Sequence, residues 1–274
     1  MKIFIRTVLA FLCWAAIAGT AAEAASGDLR IGDASGGDSL NLLRRAWLEL
    51  SMDKRFRDGN FSFTALTSKQ ALAKLASNEV DLVILEKRDI PENFSGKRQM
   101  FAAEALVCYT GFGNPLAALS LAQLKDIWSQ ERPEWKKYNG EFNTIHRIGL
   151  TIDRGGFAEG RFLGTPLKRE GIFRCKDIKR AWLFCNPSAL FCGPYSEKIP
   201  GTVSPLPIEG VEATEKNIIS GKYPLSLRYE ILSCKKPSPV VREFLKAITS
   251  PEYVLDARES GLLLISNHGW EAQK

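Results

Sequence analysis

Histidine is almost absent from this chain: 274 residues hold two, His146 and His268. No Cys-x-x-Cys pair occurs, so the ligand spacing of a structural zinc site is missing and no metal is expected. A Gly-x-Ser-x-Gly elbow is also missing, and neither histidine has an evident nucleophile partner. Cys192 reads as a packed cysteine rather than a nucleophile. These absences argue against an enzyme, and no sequence motif calls for a cofactor. No long Lys/Arg tract appears, so nucleic acid is not an expected partner. Beyond the N-terminus, no apolar run approaches the roughly 20 residues that a membrane-spanning helix needs.

What is present begins with a leader. Lys2 and Arg6 precede an apolar run over residues 7–19, and Ala22-Glu23-Ala24 follows with the small-x-small pattern of a cleavage site. Residues 1–25 are therefore expected to be a signal peptide; a retained N-terminal anchor is the alternative. Cys13 lies inside the apolar run after Leu12, not after a small residue, so no lipid anchor is expected. The remaining chain should be soluble and periplasmic or otherwise extracytoplasmic.

That remainder suits two compact lobes by length. The full chain carries 37 Lys+Arg against 31 Asp+Glu; setting aside Lys2, Arg6 and Glu23 leaves 35 against 30, a net of +5. A mildly positive body is compatible with an anionic ligand and demands none. Five cysteines remain after Cys13: Cys108, Cys175, Cys185, Cys192 and Cys234. An oxidising compartment permits disulfides. The odd count leaves at least one thiol, and the clustering of Cys175, Cys185 and Cys192 points to one local bridge among them.

Hydrophobic periodicity predicts alternating strands and helices. Residues 28–32 and 60–65 alternate as strands, and residues 80–85 form the continuous apolar run of a strand buried on both faces. A helix over residues 40–50, capped by Asp38 or Ser39, carries Leu43, Ala46, Trp47 and Leu50 on one face. Thr67-Ser68 opens a second helix that ends at Asn78. Residues 102–109 read as a further strand. Ser120-Leu-Ala-Gln123 is a capping box opening a helix through Trp128. Residues 145–152 form a strand leading to Asp153-Arg-Gly-Gly156, followed by a helix carrying Phe157, Arg161, Phe162 and Leu163. Residues 164–186 resist assignment, and their cysteine-bearing part reads as an insertion. Strands over 189–192 and 223–233 follow. Ser238-Pro239 and Ser250-Pro251 each signal a helix start. The β-α-β-α-β order implies an open α/β sheet, mostly parallel.

Several segments then fall in one familiar order. Residues 119–128 (Leu-Ser-Leu-Ala-Gln-Leu-Lys-Asp-Ile-Trp), Trp135 after Pro133, Asn186-Pro-x-Ala189 before Gly193, the run 210–224 ending Gly-Lys-Tyr-Pro, Lys236-Pro-Ser-Pro239 and the closing Ser-Pro helix together resemble phosphate-type ABC transporter substrate-binding proteins. The resemblance covers nearly all of the chain after the leader. It implies a two-lobe type II periplasmic-binding-protein fold, each lobe a mostly parallel sheet flanked by helices. The chain would start in lobe 1 (26–108), cross to lobe 2 (109–227) and return (228–274), with ligand held where the lobes close. Cys108 and Cys234 would lie near the two hinge strands, as neighbours.

A buried oxyanion needs many donors and compensating charge, which helix N-termini, hydroxyls and an arginine fork supply. On the resemblance, the first anion loop is Ser35-Gly36-Gly37-Asp38-Ser39. Its glycines permit close backbone approach; Asp38 either accepts a proton from protonated phosphate or is a solvent-facing cap. Ser68 is the second candidate, open to reading as an ordinary cap residue. Lys87, in Glu86-Lys87-Arg88, is either an anion ligand or part of a solvated charge run. The third loop holds Arg154, Gly155 and Gly156, either an anion clamp or a simple turn. Here Gly156 and Ala158 stand where the family carries Ser and Thr. Losing two charge-assisted bonds, each worth roughly 1.5–3 kcal/mol, weakens binding on the order of a hundredfold or more. The resemblance thus implies a monomeric, exported binder of phosphate or a related oxyanion that serves a membrane ABC permease. The departures at 156 and 158 keep open a divergent sensor or interaction module with another ligand or none.

Overall fold

The computed structural model describes residues 28–35, 47–48, 50–54, 56–138, 144–151, 159–164, 171–248, 253–254, 257–258 and 261–265. The predicted strand–helix alternation is present. Strands β1 (Leu29–Asp33), β2 (Phe61–Ala65) and β3 (Leu82–Glu86) lie parallel, with β1 in the middle. Helix α1 (Ser68–Ala76) joins β2 to β3 and packs Ala71 and Leu75 inward. Its cap is Thr67, whose hydroxyl accepts from Gln70 N while the Gln70 side chain accepts from Thr67 N. Asn78 terminates the helix in the left-handed region at φ 59°, a conformation that asparagine tolerates better than most residues.

The organising element is β4 (Lys97–Gly111), far longer than the strand read from the alternation at 102–109. Fifteen residues at about 3.4 Å each reach roughly 50 Å. Its first part pairs antiparallel with β9 (Ser226–Ser233), which in turn pairs with β3. Its second part pairs antiparallel with β7 (Ala189–Pro194) and β8 (Val203–Leu206). Strand β5 (His146–Leu150) lies parallel to β7 on one side and to β6 (Ile172–Cys175) on the other. The short β10 (Leu262–Leu264) returns to β4. Each half thus combines parallel strands with antiparallel ones that meet on β4.

Apolar side chains gather on either side of that change of partners. One core contains Tyr109, Leu124, Ile127, Trp128, Trp135 and Phe191, beneath α2 (Leu121–Ser129). The other contains Ile31, Trp47, Ile84, Phe101 and Phe244, beneath α5 (Pro239–Ile248), and a smaller cluster lies under α1. Phe162, on α3 (Glu159–Leu163), touches both large cores. The capping box at Ser120 and the Pro239 start are as the sequence predicts. At the end of β4 the Gly111 backbone lies against Asn186; a Cβ there would fall 2.2 Å from the Asn186 carbonyl carbon, so only glycine fits.

The cysteine-bearing stretch left unassigned by the sequence supplies edge strand β6 and helix α4 (Ile178–Phe184), whose Ala181 is buried. Two expectations are corrected. There is no bridge among Cys175, Cys185 and Cys192: Cys175 ends β6, Cys185 follows α4 and Cys192 lies within β7. Cys185 directs its thiol to Tyr109 O at 3.8 Å, while Cys192 faces Cys108 across the β4–β7 pair. All five described cysteines are thiols. Cys108 and Cys234 are not neighbours either. Antiparallel pairing sets Ser233 opposite Lys97, so Cys234 emerges at the far end of β4 from Cys108. Among the described residues no helix is long and apolar enough to cross a membrane, and no group of three or more His, Cys, Asp or Glu could hold a metal ion.

Candidate functional site

Residues from four strands of one half of the molecule converge on a single arginine from the other. β1 ends in Asp33 and leads to Ser35; β3 ends in Glu86; β4 contributes Glu104 from within an otherwise apolar run; β9 contributes Tyr229, opposite Glu86 in register. Asp33, Ser35, Glu86 and Tyr229 are all buried. Arg161 enters from α3, carried by a helix whose Leu163 is anchored in the core beneath α2.

Arg161 spreads its two terminal nitrogens over all these elements. Nη2 donates to Ser35 O at 2.6 Å and to Tyr229 Oη at 2.7 Å. Nη1 lies 3.2 Å from Glu104 Oε1, and Nη2 lies 3.8 Å from Glu86 Oε1. The Tyr229 hydroxyl donates in turn to Glu104. Glu86 also takes a 2.6 Å ion pair from Arg88, whose side chain is mostly in solvent. The Asp33 carboxylate turns back to accept from Ser35 N at 2.8 Å.

Three carboxyl groups therefore share one half-buried guanidinium and one exposed one. Burial raises the pKa of Asp33 despite the Ser35 hydrogen bonds and the charge of Arg161. Burial likewise raises Glu86, with Asp89 and Glu104 adding to the shift and Arg88 and Arg161 opposing it. The Tyr229 hydroxyl is pushed up by burial and by Glu104. Burial works against the charge on Arg161, but Tyr229, Glu104 and Glu86 outweigh it and hold the guanidinium protonated. Such a cluster can clamp two bodies together, and its carboxyls can take or give protons near a bound solute.

Of the residues expected to bind ligand, Ser35 lies in this cluster. Ser68 sits in the first turn of α1, beside its cap residue, and its hydroxyl donates to Asp89 Oδ2 at 2.6 Å. Lys87 is exposed in the turn Lys87–Asp89 next to Glu86. Gly36, Gly37, Asp38, Ser39, Arg154, Gly155 and Gly156 lie outside the described residues. Sequence reasoning passed over Glu104, Tyr229 and the role of Arg161. The usable signal was Glu104: one carboxylate inside the apolar run from Phe101 to Tyr109 has to find a partner when buried.

No family model matches the chain, and no curated protein matches it in sequence. Solved structures do match in shape. A possible phosphate-binding protein from Planctomyces limnophilus superposes at a TM-score of 0.71 and 17% identity, covering 88% of this chain and 94% of that one. PstS from Borrelia burgdorferi gives 0.64 and 17%, covering 88% of this chain and all of that one. An ABC-type phosphate transport receptor from Vibrio cholerae gives 0.61 and 16%, covering 86% of this chain and all of that one. The chain has the two-lobe α/β fold of type II periplasmic binding proteins.

Proposed function

We propose that this chain is an extracytoplasmic solute-binding protein that takes phosphate or a related oxyanion between its lobes and delivers it to a membrane ABC permease. With lobe 1 taken as 26–108 plus 228–274 and lobe 2 as 109–227, the proposed crossings between lobes fall on β4 and at the start of β9. Binding is non-covalent and no catalysis is involved. The observation that carries the reading is the convergence of residues from β1, β3, β4 and β9 on Arg161, where a solute bound beside Ser35 would touch both halves of the fold. The proposed contact set is Ser35, Gly36, Gly37, Asp38, Ser39, Ser68, Lys87, Arg154, Gly155 and Gly156, with Arg161 added. The fold of the phosphate-binding neighbours supports it.

The carboxyls narrow the ligand. A fully ionised oxyanion is repelled by Asp33, Glu86 and Glu104, whereas one that carries a proton can donate to a carboxylate. Phosphate near neutral pH keeps a P–OH proton; sulfate has none. Calorimetry of the folded chain, titrated with phosphate and then sulfate, tests the reading. Phosphate heat that saturates, with sulfate silent, is the expected result. Silence with both anions would overturn it. The carboxyl excess around one arginine also favours a second reading, a binding-protein fold serving as a sensor or interaction module for another ligand or none.

A further inference from the structure

We propose that Cys108 and Cys192 are a disulfide site, closing a covalent link between β4 and β7. The two residues stand directly opposite each other in the antiparallel register. Their sulfurs are 3.2 Å apart, closer than the roughly 3.5–4.0 Å of ordinary non-bonded heavy atoms. Facing cross-strand positions hold Cβ atoms about 4.5–5.5 Å apart, and a disulfide draws them to about 3.5–4.5 Å. About 1 Å of sulfur movement, shared by two side chains, reaches the bonded length of about 2.04 Å. Both residues are fully buried.

The other thiols have different surroundings. Cys175 ends edge strand β6, Cys185 points at the Tyr109 carbonyl, and Cys234 is exposed with its thiol against Lys236 O. Oxidation therefore selects one pair and leaves three thiols.

The step is thiol–disulfide exchange. One cysteine thiolate attacks a sulfur of an oxidant disulfide, forming a mixed disulfide and expelling one thiol. The second cysteine attacks the first, forming the Cys108–Cys192 bond and expelling the second thiol. The oxidant's disulfide is reduced to two thiols that carry away the two cysteine protons. Because both sulfurs are buried once β4 and β7 pair, exchange takes place during folding, while the strands are still accessible. The extracytoplasmic location proposed above supplies an oxidant of this class, a disulfide of an oxidoreductase or of glutathione.

The test refolds the full chain in oxidised and reduced glutathione, blocks free thiols under denaturing conditions and maps the cysteine peptides. The expected result is one linked peptide pair containing Cys108 and Cys192, with Cys175, Cys185 and Cys234 singly blocked. Protein refolded with reductant alone, so that the link never forms, melts roughly 5–15 °C lower, as loss of a long-loop disulfide does in a domain of this size. The Cys175→Ala/Cys185→Ala double variant keeps both the link and the Tm difference. Single blocking of Cys108 and Cys192, or linkage of either to a different cysteine, overturns the proposal. The mapping uses the unaltered protein, so a variant that fails to fold leaves it decisive. It also needs no phosphate, so its outcome is independent of the ligand reading.

Discussion

Two arginines in this chain are held away from solvent by opposite means. Arg147, on β5, is 1% exposed and donates from Nη1 to the carbonyls of Ile127 and Trp128 and from Nη2 to that of Glu131. These acceptors lie at and beyond the C-terminal end of α2, where unsatisfied carbonyls and the helix dipole favour a cation. Burial lowers its pKa. Arg161 is more open and meets carboxylates as well as a carbonyl, and its pKa is raised. Arg147 ties a helix to the sheet it already belongs to. Arg161 ties one half of the fold to the other. Partner type, more than depth of burial, separates an arginine that serves packing from one that joins the two halves of the fold.

The strongest way to break the contrast is Arg147→Leu. It leaves the buried Ile127 and Trp128 carbonyls and the part-buried Glu131 carbonyl short of a donor and should lower stability by about 2–4 kcal/mol, measured by denaturant unfolding. Phosphate affinity of the fraction that folds should not change. Arg161→Ala should do the reverse. Calorimetric phosphate affinity should fall on the order of tenfold to a hundredfold, as loss of a charge-assisted contact implies, with a smaller change in stability. Equal effects of the two substitutions on affinity would erase the distinction.

Proton linkage sharpens it further. Asp33 and Glu86 have folded-state pKa values above their ordinary 3.8 and 4.5. The folded state then holds their protons more tightly than the unfolded chain does. Their contribution to stability is fully present below those ordinary values and is lost as pH rises through the raised ones. The Asp33→Asn/Glu86→Gln double variant should show a flatter Tm against pH from about 4 upward. Phosphate binding in the unaltered protein should also weaken across that rise, as carboxylate charge accumulates.

The smallest effect belongs to Asp126, on α2 with Arg147's acceptors. Lys137, Tyr138 and Gln130 bind its carboxylate and lower its pKa to about 2. Its stabilisation is present above the ordinary carboxylate value and is lost as pH falls through about 2. The side chain is 38% exposed, so solvent screening should keep the loss in Asp126→Asn below about 1 kcal/mol.

Local signals were legible wherever a residue acts on its own neighbours in sequence. The Thr67 and Ser120 caps, the Asn78 stop and the Pro239 start each satisfy or withhold backbone groups within a few positions. Edge strand β6 was not legible: its four residues mix Ile172 and Cys175 with exposed Phe173, and no clean alternation survives at a sheet edge. The full length of β4 was also hidden, because its polar start at Lys97, Arg98 and Gln99 pairs with β9, over a hundred residues away.

The sequence by itself determined the α/β order, the capped helices and the apolar runs that fill two cores, since these depend on periodicity and nearest-neighbour hydrogen bonding. Only the tertiary structure decided which charges meet. Arg161, Glu104, Glu86 and Tyr229 come from four elements, and Coulomb and hydrogen-bond energies depend on distances in space that spacing along the chain does not encode. The same reason separates Cys108 and Cys192 by 84 positions in sequence and by 3.2 Å between sulfurs.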